Sequence, residues 1–262
     1  MRNTIAVYIR EIKSYLVSPI FYIIATVFML VVGNTFKDNF FSFAMRTMRL
    51  LRQATNTGGE IQFININAEV VPGMFAFMNF MFLLIVPLLT MRLYAEEKKT
   101  GTMELLMTSP ITTTQVLLGK FFSCLTIYFF LMCLTIAFVI IMMVQSNGKL
   151  DWGPVISSYL GSLLLGSAVI SIGMFFSSLT ENQIISAAVT LTVVMVFWLL
   201  VQSARYVAPP FNHFLGYLSL AEHIDSFTYG FVGIKHIVYY ISMTVFWLFL
   251  TGVNVESARW RQ

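Results

Sequence analysis

A chain of 262 residues that is 58% hydrophobic and only 11% charged cannot cover its own surface with polar groups. Soluble domains are about 45–50% apolar and about 25% charged. Mean hydropathy of +0.79, with 25 Phe and 16 Met, excludes disorder and makes a bilayer the expected solvent. The net charge of +4 then bears on orientation in a membrane rather than on nucleic acid.

Ile5, Tyr8, Ile9, Ile12 and Leu16 recur at helical spacing, with Arg2, Arg10, Glu11 and Lys13 between them. That pattern predicts an amphipathic helix lying on the membrane face. It is not read as a signal peptide, because no small-residue cleavage site follows the first apolar run. Ser18-Pro19 starts the next helix, Pro being suited to a first turn.

A spanning helix needs about 20 apolar residues, and the chain offers six such runs. They fall at about 19–36, 73–91, 116–144, 154–179, 184–204 and 237–253. The expected fold is therefore all-α, a polytopic membrane protein with six transmembrane helices in a single domain over 1–262. Segments 37–72 and 205–236 lie on one side, and segment 92–115 lies on the other with both termini. The termini's side holds nine basic residues near span ends and the other holds seven, so the termini are expected to be cytoplasmic. No charge falls well inside any run, which weighs against proton-coupled carriers and cation channels. Cys124 and Cys133 share one run nine positions apart, too far along a helix to bond to each other.

The segment Arg92-Leu-Tyr-Ala-Glu-Glu-Lys-Lys-Thr-Gly-Thr-Met-Glu-Leu-Leu-Met-Thr-Ser-Pro110 leaves the second span as a charge run. It then turns at Gly101 and forms a short helix around Glu104. Read alone it is a solvated loop. Its order resembles the signature of ABC-2 type permeases, matched by Arg92, Glu96, Glu97, Gly101, Thr102, Glu104, Leu105, Leu106, Thr108, Pro110, Gly119 and Lys120. The opening stretch from Arg10 to Tyr22 and the late run from His223 to Tyr240 are similar to the gliding-motility-associated branch of that family.

The resemblance implies the permease subunit of an ATP-driven exporter in a bacterial inner membrane, with both termini cytoplasmic. Its implied partners are cytoplasmic ATPase subunits, a second permease copy or paralogue, and an accessory membrane or extracytoplasmic subunit. Glu96, Glu97, Gly101, Thr102 and Glu104 would couple to the ATPase. ATP and Mg would sit on that partner, because this chain has no G-x-x-x-x-G-K-[ST] loop: after Gly161 and Gly166 comes Ser167-Ala168. No catalytic residue, bound cofactor or metal is expected. A channel or secondary transporter without an ATPase partner remains the alternative. An intramembrane enzyme has no H-E-x-x-H or G-x-S-x-G to stand on.

Ser158, Ser162 and Gly166, with Gly173 beyond, form a small-residue stripe that serves either helix packing or a dimer seam. From Phe40 to Arg52, apolar residues alternate with Arg46, Arg49 and Arg52, predicting an external interfacial helix. His213, His223 and His236 show no metal-ligand spacing. Glu222, His223 and Asp225 cluster in an apolar stretch as a candidate exit lining. Met74, Met78 and Met81 read as adaptable packing rather than a copper relay.

Overall fold

The computed structural model describes residues 2–57, 66–103, 111–146, 150–209 and 211–259. Every regular element among them is a helix: α1 Arg2–Val17, α2 Pro19–Thr57, α3 Ile66–Thr90, α4 Arg92–Lys99, α5 Thr113–Leu134, α6 Ile136–Gln145, α7 Trp152–Leu179, α8 Gln183–Ala204, α9 Phe211–Leu218, α10 Leu220–Thr228 and α11 Ile234–Arg259. Six stretches are long and apolar enough to cross a membrane: Pro19–Asn56, Glu69–Lys99, Thr113–Gln145, Trp152–Leu179, Gln183–Ala204 and Ile234–Ser257.

The α7 helix is the axis, packed against α3, α4, α5, α8, α10 and α11. Its small residues explain why. A Cβ at Gly161 would lie 2.6 Å from Phe227, one at Gly166 2.3 Å from the Tyr128 ring, and one at Gly173 2.1 Å from Thr90 Oγ1. Neighbouring helices close onto these gaps, as small residues allow within a bilayer. Ser158 and Ser162 are wholly buried. The Ser158 hydroxyl turns back to the Pro154 carbonyl at 2.6 Å, and the Ser162 carbonyl accepts from Tyr128 Oη at 2.7 Å. The stripe read in the sequence is thus filled by the chain's own α5 and α10, and it leaves no open face there for a second copy.

Two boundaries differ from the sequence reading. The helix of the first span does not end at Phe36: α2, 39 residues in all, continues to Thr57. The stretch from Phe40 to Arg52 is therefore its continuation, not a separate interfacial helix. Neither Pro nor Gly occurs between Phe36 and Thr57, so no strong breaker ends the helix there. Arg46 reaches Glu69 of α3 at 3.2 Å. The third run breaks at Thr135, whose hydroxyl donates to the Met132 carbonyl at 2.6 Å and meets Tyr159 Oη at 2.9 Å. Such side-chain bonding to a helix's own carbonyls bends it.

Both described ends of the chain lie at one end of the bundle. Asn254 near the close of α11 donates to the Ser178 carbonyl at 2.9 Å, and Lys98 of α4 donates to the same oxygen at 2.5 Å. The short helices α9 and α10 cap the opposite end. Cys124 and Cys133 are both free.

Candidate functional site

At the α4 end, α1 lies against α5 because Gly119 permits it. A Cβ there would sit 3.0 Å from both the Thr4 carbonyl and Val7. The next residue, Lys120, is only 1% exposed, although it stands four positions into an apolar run. Its ammonium is met by Glu11 of α1 at 3.0 Å, Glu97 of α4 at 2.9 Å and the Leu93 carbonyl at 2.6 Å. Arg10 closes the network from outside, reaching Glu11 at 2.9 Å and Glu97 at 2.5 Å. An isolated buried ammonium would cost several kcal/mol, so two carboxylates and a carbonyl are what make Lys120 tolerable here. The Tyr94 ring lies 5.1 Å from the same ammonium.

The charges tune one another. Burial alone would raise the Glu11 carboxyl, but Lys120 and Arg10 outweigh it and hold the group below the ordinary carboxylate range. Burial likewise opposes the charge on Arg10, yet Glu11 and Glu97 more than compensate and raise it. Beside the network is a cavity of about 310 Å³ lined by Arg10, Arg92, Glu96, Glu97, Thr102 and Lys120, among others. Glu97 Oε2 is buried and has no hydrogen-bond partner among the described residues.

The helix α4 is fastened at both ends. Ser177 of α7 accepts from the backbone amides of Tyr94 and Ala95 at 3.1 and 3.2 Å and donates to the Met91 carbonyl at 2.9 Å. It thereby satisfies amides that a helix start leaves open. At the other end Gly101 adopts φ +71° and its amide bonds to the Lys98 carbonyl at 3.2 Å, a left-handed helix stop that favours glycine. Thr102 follows, its hydroxyl 3.0 Å from that of Thr100. Arg92 sits over the Tyr15 ring at 4.3 Å. Of the sequence candidates in this segment, Glu96, Glu97, Gly101 and Thr102 surround one pocket or turn. Glu104 and the rest of 104–110 lie outside the described residues. The sequence shows Arg10 and Glu11 as polar positions on α1 and Lys120 as part of the family-like pattern, but not their pairing; the signal for it is that Lys120 is a charge in an apolar run, which demands partners.

At the opposite end the structure joins two histidines that sequence spacing kept apart. His223 Nδ1 lies 2.6 Å from His236 Nδ1. His223 Nε2 lies 2.8 Å from the Tyr217 carbonyl, and Ser226 Oγ lies 3.1 Å from His236 Nε2. A carbonyl only accepts, so His223 Nε2 carries a proton. With His223 neutral, its Nδ1 accepts from His236 Nδ1–H, and Ser226 donates to His236 Nε2. Burial depresses the His223 pKa, which favours that neutral form. His223 also stacks on Tyr239 at 3.9 Å. Glu222 and His223 line a cavity of about 590 Å³ with His213 and His236. Asp225 does not line it, and its carboxyl is raised by burial and by Glu222. No group of three or more His, Cys, Asp or Glu among the described residues is arranged to hold a metal.

Six long apolar helices closed around a small-residue axis, with an amphipathic helix tied to an ion network at one end, define a multi-pass α-helical membrane protein. The family model described as ABC-2 family transporter protein matches residues 5–251, nearly the whole chain. The chain belongs to that family and is the membrane component of an ABC transporter. No curated protein matches it significantly.

Proposed function

We propose that this permease moves its substrate outward across a bacterial inner membrane when separate cytoplasmic ATPase subunits, bound at the α4 end, hydrolyse ATP. Both termini would face the cytoplasm, and a second permease copy or paralogue would complete the path. The observation that carries the reading is the network around Lys120, which binds α1, α4 and α5 into one unit just before the family's coupling segment. A partner pressing on the turn at Gly101 meets the short helix α4, tied to Lys120 and Ser177. Two global states biased by ATPase binding would then give alternating access.

The test is an assembled complex compared at equal ATPase content. Truncating a partly buried, paired charge costs about 2–5 kcal/mol at an interface. Glu97→Ala is therefore expected to insert normally yet lower both transport and substrate-linked ATP hydrolysis. Gly101→Val should act the same way, because its φ of +71° strains a β-branched residue. Wild-type coupling in both variants would overturn the assignment, and purification without any ATPase would favour a channel or secondary transporter. Orientation is checked with single cysteines in a background lacking Cys124 and Cys133. Those at Asn56 and Tyr206 should react with an impermeant thiol reagent from outside, and those at Thr100 and Glu256 should not.

A further inference from the structure

We infer that the cavity of about 590 Å³ between the end of α8, helices α9 and α10 and the start of α11 binds the phosphate of an amphiphile's headgroup. Its volume lies within the range of small-molecule sites. Two cations on different elements converge on it, Arg205 beyond α8 and Lys235 on α11. Neither forms an ion pair among the described residues, in contrast to Arg10, Lys37, Arg46 and Lys120. Asn212 and His213 add polar groups from α9. An Arg fork and a Lys point charge carried on different elements suit a phosphate, which offers acceptors in several directions.

The buried wall is already satisfied. The paired rings of His223 and His236 spend their four nitrogens on each other, the Tyr217 carbonyl and Ser226, so they give shape rather than charge. Glu222 is the one carboxylate among the described lining residues, so the lining sets two cations against one anion with neutral histidines, while Asp225 acts on Arg205 from outside the lining. Glu222 would accept from a hydroxyl or amine elsewhere on the headgroup.

The rim points to a membrane amphiphile as the source of the phosphate. Phe211 and Phe214 lie three positions apart on α9 and are both exposed outside the lining, Asn212, His213 and Gly216 of the same helix line the cavity, and Tyr217, which is exposed too, stands at its edge as a lining residue. Such a helix lies in the headgroup region with its aromatic face toward the acyl chains. Tyr206 beside Arg205 is 91% exposed and extends that rim. A headgroup entering sideways from the bilayer would place its phosphate between Arg205 and Lys235 and leave its tails against the aromatics. The inference concerns binding at this end alone and does not depend on ATPase coupling.

The experiment uses the full chain in detergent, titrated with dioctanoyl phosphatidylglycerol, dioctanoylglycerol or inorganic phosphate while thermal unfolding is followed. Phosphatidylglycerol is expected to raise Tm saturably, and dioctanoylglycerol to have no saturable effect. The double variant Arg205→Gln, Lys235→Gln should weaken the phosphatidylglycerol midpoint by at least about tenfold. Lys37→Gln, in an exposed pair with Asp38, should leave it unchanged. Both cavity cations are exposed, so the double variant should keep the unliganded Tm. An unchanged midpoint in the double variant overturns the site. Inorganic phosphate binding as tightly as phosphatidylglycerol overturns the amphiphile as its source.

Discussion

The two ends of the bundle solve the same problem with opposite chemistry. At the α4 end a buried ammonium is retained by surrounding it with Glu11, Glu97 and the Leu93 carbonyl. At the α10 end two buried imidazoles satisfy each other without any net charge. The charged solution is rigid but intolerant, because losing any partner leaves another charge stranded. The neutral solution needs fewer partners, but one added proton disturbs it. A network of the first kind suits a joint that must carry load, and one of the second kind suits a cap.

The largest expected effect is therefore at Lys120. Lys120→Met leaves two carboxylates sharing one arginine and should cost about 3–5 kcal/mol, read as a lowered unfolding midpoint in detergent. Adding Glu11→Gln and Glu97→Gln should recover most of that loss. No recovery would mean that the ammonium acts through packing instead of charge. Midway between the ends, Gly173→Ala should cost about 1–3 kcal/mol through overpacking against Thr90. It should do so equally at every pH, since no charge lies there.

Acid separates the two ends further. Both Glu11 and His223 have folded pKa values depressed from ordinary values of 4.5 and 6.5. In each case the unfolded chain binds the proton more readily, so the stabilisation is complete above the ordinary value and is lost as pH falls. Hydrogen exchange should show α10 loosening first, below about pH 6.5, and α1 only below about pH 4.5, by less than about 1.4 kcal/mol per pH unit for each proton taken up, His236 being depressed along with His223. His223→Phe should keep the ring over Tyr239 and shrink the first phase while sparing the second. Loss of both phases together would contradict independent ends. The smallest effect is expected at Arg46→Gln. That pair is 65% and 31% exposed, so its loss should change stability by about 0–1 kcal/mol.

The spans were legible because hydropathy and length report directly on burial in lipid. The turn at Gly101 was legible as well, since a glycine closing a charged helical run is a stop signal. Pairings between distant segments were not. Nothing local in His223 or His236 reveals that α10 and the start of α11 bring the two rings together. Glu11 looked like one more polar residue on α1, because its partner lies 109 positions away. The length of α2 beyond Phe36 was hidden for a related reason: loss of hydropathy marks where lipid ends, whereas a helix ends only where a breaker or cap is supplied.

That distinction gives α2 a mechanical character. Thirty-nine residues at about 1.5 Å each make a rod of about 58 Å, nearly twice the hydrocarbon thickness of about 30 Å. Its foot at Pro19 adjoins the helix that carries Glu11, while its far portion is tied across to α3 by the exposed Arg46–Glu69 pair. A tilt of about 10° at the foot would sweep the Thr57 end through about 10 Å by simple lever geometry. Displacements too small to reopen any packed contact near the ion network would thus emerge, at the other surface, as movements the size of a side chain.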